Sequence, residues 1–132
     1  MRILWLCNII IPGIRVKLGL NSGNSGGWLE ETFERIIKQD SNKYGFCAPY
    51  DNCKDIFRMD YFKAKFFGFR RKQKKAHIYE KRLEKIFECI IDEFKPDLVH
   101  VFGTEFPHSL AMVRAFNNPN RIVIHIQGLT FI

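Results

Sequence analysis

Hydrophobic positions in this chain switch between two periods, and the switches divide it into elements. Ile3, Leu4, Trp5 and Leu6 are continuously apolar, the pattern of a parallel strand covered on both faces. A long connection from Asn8 to about Ser25 follows, rich in Gly, Asn and Ser. Gly26-Gly27 opens a helix in which Trp28, Leu29, Phe33, Ile36 and Ile37 recur at spacings of three and four, with Glu30, Glu31, Glu34 and Arg35 opposite. Tyr44 to Ala48 reads as a second strand. Asp55 to Phe69 is partly β, because its aromatic residues fall on both parities. Tyr79, Leu83, Ile86, Phe87, Ile90, Ile91 and Phe94 form the stripe of a helix from about Lys74 to Phe94, stopped by Lys95-Pro96-Asp97. Leu98 to Phe102 is a strand, Phe106 to Phe116 a helix and Arg121 to Ile126 a strand.

Strands alternating with helices predict an α/β fold, Rossmann-like and doubly wound, with a mostly parallel sheet and right-handed crossovers. The last strand has no helix after it. On that pattern residues 1–132 read as one partial N-terminal domain, cut short. At 132 residues the chain holds a single core. Its longest apolar runs fall far below the roughly 20 residues of a membrane span. The first residues lack the length and cleavage pattern of a signal peptide, so the expected location is the cytoplasm.

Charge changes this picture at one place. The net charge is +7, and Lys63 to Lys85 contains ten basic residues against Glu80 and Glu84. Such a stretch is either a solvated face or a peripheral contact with anionic lipid on the inner membrane face. No nucleic-acid-binding motif accompanies it. Cys7, Cys47, Cys53 and Cys89 form no C-x-x-C pair and have no histidine spaced for zinc; they read as buried free thiols, and no metal site is expected.

Open α/β sheets bind ligands beyond the carboxyl ends of their strands. Three segments fall there: Asn24 to Gly27, Gly103 to Ser109, and Gln127-Gly128. Gly26 and Gly27 let backbone approach a phosphate at a helix N-terminus. Their spacing does not make G-x-G-x-x-G, and no acidic residue follows Tyr44 to Ala48 where an adenosine ribose needs one. Both facts count against a dinucleotide enzyme, and no P-loop is present. His108, in the first turn of a helix at the cleft mouth, is a candidate to bond a sugar hydroxyl or take a proton. Glu105 is a second candidate. His100 and His125 read as satisfied strand residues, and His77 as exposed.

Asn24-Ser25-Gly26-Gly27-Trp28-Leu29, the run from Pro96-Asp97-Leu98-Val99-His100 through Gly103-Thr104-Glu105-Phe106-Pro107-His108-Ser109, and Ile126-Gln127-Gly128-Leu129 together resemble the N-terminal domain of family 4 glycosyltransferases. Bacterial members that build surface polysaccharide are the nearest in feel. The resemblance implies a GT-B enzyme of two nucleotide-fold domains with the active site between them. The N-terminal half holds a glycan or lipid-linked acceptor. The C-terminal half holds the nucleotide-diphosphate sugar, partly through two glutamates. Transfer is retaining and of hexosyltransferase type, with no metal or tightly bound cofactor. It further implies that Gly26 and Gly27 approach the donor diphosphate, that His108 and Glu105 touch the transferred sugar or acceptor, and that Gln127 and Gly128 line the floor. Phe102 before Gly103 departs from the family pattern. The donor half and its glutamates are missing from this sequence, so the fragment alone is expected to be inactive. The residues also leave open a stand-alone, flavodoxin-like module that binds a nucleotide or a partner without catalysis.

Overall fold

The computed structural model describes residues 1–20, 27–39, 41–72, 78–104 and 106–126. Six strands make one sheet: β1 (Arg2–Leu6), β2 (Lys43–Pro49), β3 (Ile56–Tyr61), β4 (Ala64–Phe69), β5 (Leu98–Phe102) and β6 (Ile122–His125). Their order is β3-β4-β2-β1-β5-β6. All neighbouring pairs are parallel except β3 with β4. The parallel strands therefore wind outward from β1 in both directions, with the order reversing between β1 and β5 as in a doubly wound fold.

The helices are α1 (Pro12–Lys17), α2 (Gly27–Gln39), α3 (Arg82–Phe94) and α4 (His108–Phe116). Alternate residues of β1 feed opposite faces, as the strand period requires. Trp5 and Cys7 join Ile11, Ile14 and Phe33 of the α1–α2 side. Leu4 and Leu6 join Leu83, Phe87, Ile90 and Met112 of the α3–α4 side. Burying each Phe or Leu side chain contributes about 1.5–3 kcal/mol, so both faces of β1 are held. This explains its unbroken apolar run.

Three readings of the sequence are corrected and one is sharpened. The connection after β1 contains a helix, α1, whose short length hides any period; Pro12 starts it and Ile14 is buried. The segment from Asp55 to Phe69, read as partly β, is a tight hairpin: β3 and β4 pair from Ile56↔Phe69 to Tyr61↔Ala64. Strand β4 buries both faces against the two clusters, which is why its aromatics show no alternation. Helix α3 begins at Arg82, not near Lys74, and Tyr79 packs against the second cluster from outside it. Only Cys7 and Cys47 are buried; Cys53 is half-buried and Cys89 exposed, on the solvent side of α3. Burial pushes the Cys7 and Cys47 thiols well above their usual range.

The basic stretch is also divided. Strand β4 carries the chain across the sheet, so Lys63 and Lys65 lie at the amino edge of the parallel strands. Arg70, Arg71 and Arg82 lie at the carboxyl edge, where Arg82 donates to the Arg70 carbonyl. Val123 and Ile124 of β6, and Ile126 just after it, are exposed. Among the described residues, no helix is long and apolar enough to cross a membrane.

Candidate functional site at the carboxyl edge

Because β1, β2, β4, β5 and β6 are parallel, their carboxyl ends share one rim. The strand-order reversal opens between the ends of β1 and β5. Two chain exits flank it: Cys7-Asn8 after β1, and Gly103-Thr104 after β5.

Gly103 makes the second exit possible. Its φ of 91° lies where an L side chain is strained. This turn lets the Gly103 amide donate to the His125 carbonyl at 2.7 Å. The Ser109 hydroxyl donates to the Gly103 carbonyl at 2.9 Å. The turn is thus tied to β6 on one side and to α4 on the other.

His108 is the first residue of α4, as expected. Its surroundings differ from the expectation. The side chain does not stand at the cleft mouth; the residue is only 3% exposed. Phe106 lies parallel to the imidazole at 5.5 Å between centroids, and Phe69 meets it edge-on at 5.4 Å. These two rings replace water around it. Burial, helped by the Arg71 charge, lowers its pKa to about 4, so the imidazole is neutral at pH 7. Among the described residues its one polar link is Nε2 to Asn8 Oδ1 at 2.8 Å. With that oxygen accepting, the proton sits on Nε2 and Nδ1 keeps its lone pair. This hydrogen bond bridges the two sides of the reversal point.

Arg71 borders the same region, two residues beyond the end of β4. Its backbone N–H and guanidinium both bond Asp51, at 3.0 and 3.3 Å. Its Nε is buried and has no hydrogen-bond partner, an unusual position for a cationic donor. Asp51 stands two residues past the end of β2. It is engaged by Arg71.

Gly27 is the first residue of α2. Gly26, Glu105, Gln127 and Gly128 lie outside the described residues, as does His77. His100 is half-buried on β5, stacked on Phe102 at 4.0 Å, with a buried Nε2 that has no partner; it is not the satisfied strand residue expected. Burial, with His125 nearby, lowers its pKa. His125 lies on β6, exposed. An apolar groove of about 470 Å³, lined by Val101, Leu110, Val113 and Ile124, lies between α4 and β6 beside the rim. Asn8 and His108 are not among the residues lining it.

Sequence reasoning missed Asn8, Arg71 and Asp51. Asn8 had a usable signal: it is the first polar residue after a continuously apolar strand, at the end where such sheets bind ligands. Arg71 and Asp51 had none, since their pairing depends on β2 and β4 being neighbours. Among the described residues, no three His, Cys, Asp or Glu side chains group in a way that could hold a metal ion.

No protein-family model, curated protein or solved structure matches this chain.

Proposed function

We propose that the chain is the acceptor-side half of a retaining GT-B glycosyltransferase, taking part in surface polysaccharide synthesis in the cytoplasm. One observation carries the reading. The Asn8–His108 hydrogen bond spans the reversal point of a doubly wound sheet, the place where such sheets take their ligands. It joins the strand leading to Asn24–Leu29 with the Gly103–Ser109 turn, two of the segments that resemble family 4 glycosyltransferases. In this reading Asn8, His108 and Glu105 contact the transferred sugar or a glycan or lipid-linked acceptor. Gly26 and Gly27 leave room for the diphosphate of a nucleotide-sugar donor, and Gln127 and Gly128 line the floor. The donor is a substrate, not a resident cofactor, and its main binding residues belong to a second domain.

A neutral imidazole suits this role. With its proton held by Asn8, the Nδ1 lone pair can accept from a hydroxyl without the charge that would compete for phosphate. The enclosure of His108 between Phe69 and Phe106 favours a second reading, in which the ring is structural and the fold is a flavodoxin-like binding module without catalysis.

The test is transfer of a labelled hexose from nucleotide-diphosphate sugars to lipid-linked acceptors, by a polypeptide holding this chain together with a donor-binding half. His108→Gln is expected to lower kcat about 100-fold while the folded fraction at the assay temperature stays above nine-tenths. Undiminished kcat would remove His108 from the mechanism and favour the second reading.

A further inference from the structure

The two edges that share the basic stretch differ in how their charges are matched. At the carboxyl edge Arg71 pairs with Asp51, and Arg82 with Asp55 and Glu80. At the amino edge, no carboxylate among the described residues lies within ion-pair distance of Lys43, Lys63 or Lys65. Asp60 is the acidic group nearest in register, opposite Lys65 across the hairpin. Its backbone carbonyl takes a hydrogen bond from Lys17 Nζ at 3.2 Å, which brings another cation to this edge. Asp97 accepts from the Arg2 backbone amide.

Arg2, Lys43, Lys63 and Lys65 line an open cavity of about 490 Å³, with Asp60 and Phe62 also on its wall. Phe62 belongs to the two-residue turn joining β3 to β4. It is 70% exposed and has φ of 53°. Two-residue hairpins that need positive φ at the first turn residue normally place glycine there. A bulky aromatic residue in that conformation is an outlier, and such strain collects at functional positions. Among the residues whose side chains are described, Phe62 is the only Phe, Tyr or Trp that is mostly exposed.

We propose that this hairpin tip docks the protein on an anionic lipid bilayer. Phe62 enters the boundary between headgroups and acyl chains, and the cations around the cavity face lipid phosphates. A projecting apolar ring backed by cations is the combination that holds peripheral proteins at such interfaces. A single-stranded nucleic acid instead asks for successive aromatic platforms along a groove, and this edge offers one ring. The proposal narrows the membrane contact expected of the whole basic stretch to its Lys63–Lys65 end. It stands whether or not the chain transfers sugar.

Co-sedimentation with vesicles of phosphatidylcholine mixed with phosphatidylglycerol tests it, against vesicles of phosphatidylcholine alone. Wild-type protein is expected to bind the anionic vesicles at low salt and to leave them at high salt. Each lysine near the surface strengthens binding by roughly fivefold. The double variant Lys63→Glu/Lys65→Glu should therefore lose at least about 25-fold, and Phe62→Ser about fivefold. Lys81→Glu/Lys85→Glu, at the start of α3, removes the same charge and should change binding far less. Phe62, Lys63, Lys81 and Lys85 are exposed and Lys65 is half-buried, its ammonium 6.0 Å from the Phe67 ring centre; circular dichroism checks that each variant remains folded. Failure of the wild type to bind anionic vesicles would overturn the proposal. So would equal losses in the two charge-reversal variants, or unchanged binding by Phe62→Ser. Tighter binding to a single-stranded oligonucleotide than to vesicles, lost in Phe62→Ser, would assign the tip to nucleic acid and overturn it too.

Discussion

At the scale of single residues the environment of His108 decides most. Its pKa is depressed from an ordinary value of 6.5 to about 4, first by burial and then by Arg71. The sign of the stability effect follows. Below pH 6.5 the unfolded chain takes up a proton that the native imidazole resists. The contribution is fully present above pH 6.5 and is lost as pH falls toward 4, amounting to about 3 kcal/mol across that window. Urea unfolding of the wild type should show this loss between pH 7 and pH 4. His108→Gln should lack that component of the slope, whatever its stability at neutral pH. Identical pH slopes in the two proteins would mean that the ring is hydrated and not enclosed. The position of His108 at a helix start was legible in the sequence, because Pro107 and the apolar spacing that follows mark the helix. Its enclosure was not. Phe69 lies 39 positions earlier in the chain, and only the path of β4 brings it to the imidazole.

At the scale of elements, length governed legibility. Helices α2 and α3 and strands β1, β2 and β5 each bury one clear stripe or one continuous run, and the sequence shows them. Helix α1 is too short to show a period, and β4 is apolar on both parities because both its faces are covered. Helix ends follow a local logic that can be tested directly. Lys95 closes α3 and Asn117 closes α4, both in the left-handed region, with φ of 55° and 51°. Their amides donate to the carbonyls of Ile91 and Val113, the αL form of C-cap. Lysine has no side-chain device to ease that conformation, whereas asparagine tolerates it and glycine adopts it freely. Lys95→Gly is therefore expected to raise unfolding stability by about 1 kcal/mol, read as a higher urea midpoint at unchanged m-value. A lower midpoint would show that the Lys95 side chain contributes contacts that outweigh the backbone strain.

At the scale of the whole molecule, the parallel sheet sorts chemistry to two poles. The carboxyl edge gathers Asn8, Arg71, Gly103 and His108, and the amino edge gathers Phe62 and its surrounding cations. Strands of five to seven residues keep these poles about 20 Å apart. The doubly wound sheet was legible because alternation of strand and helix leaves few topologies open. The division of the basic stretch was not, because a run of charges in sequence carries no record of which strand crosses the sheet within it.

The most direct test of the carboxyl-edge rim as an acceptor site is to follow backbone amides by ¹H–¹⁵N NMR while titrating the whole chain with short-chain, water-soluble analogues of lipid-linked hexose acceptors. Saturable shifts confined to the amides of Asn8, Gly103, Thr104, His108, Ser109 and Arg71 are the predicted result. Millimolar acceptor analogue that leaves those amides unmoved, or that shifts only residues of the amino edge, would contradict it.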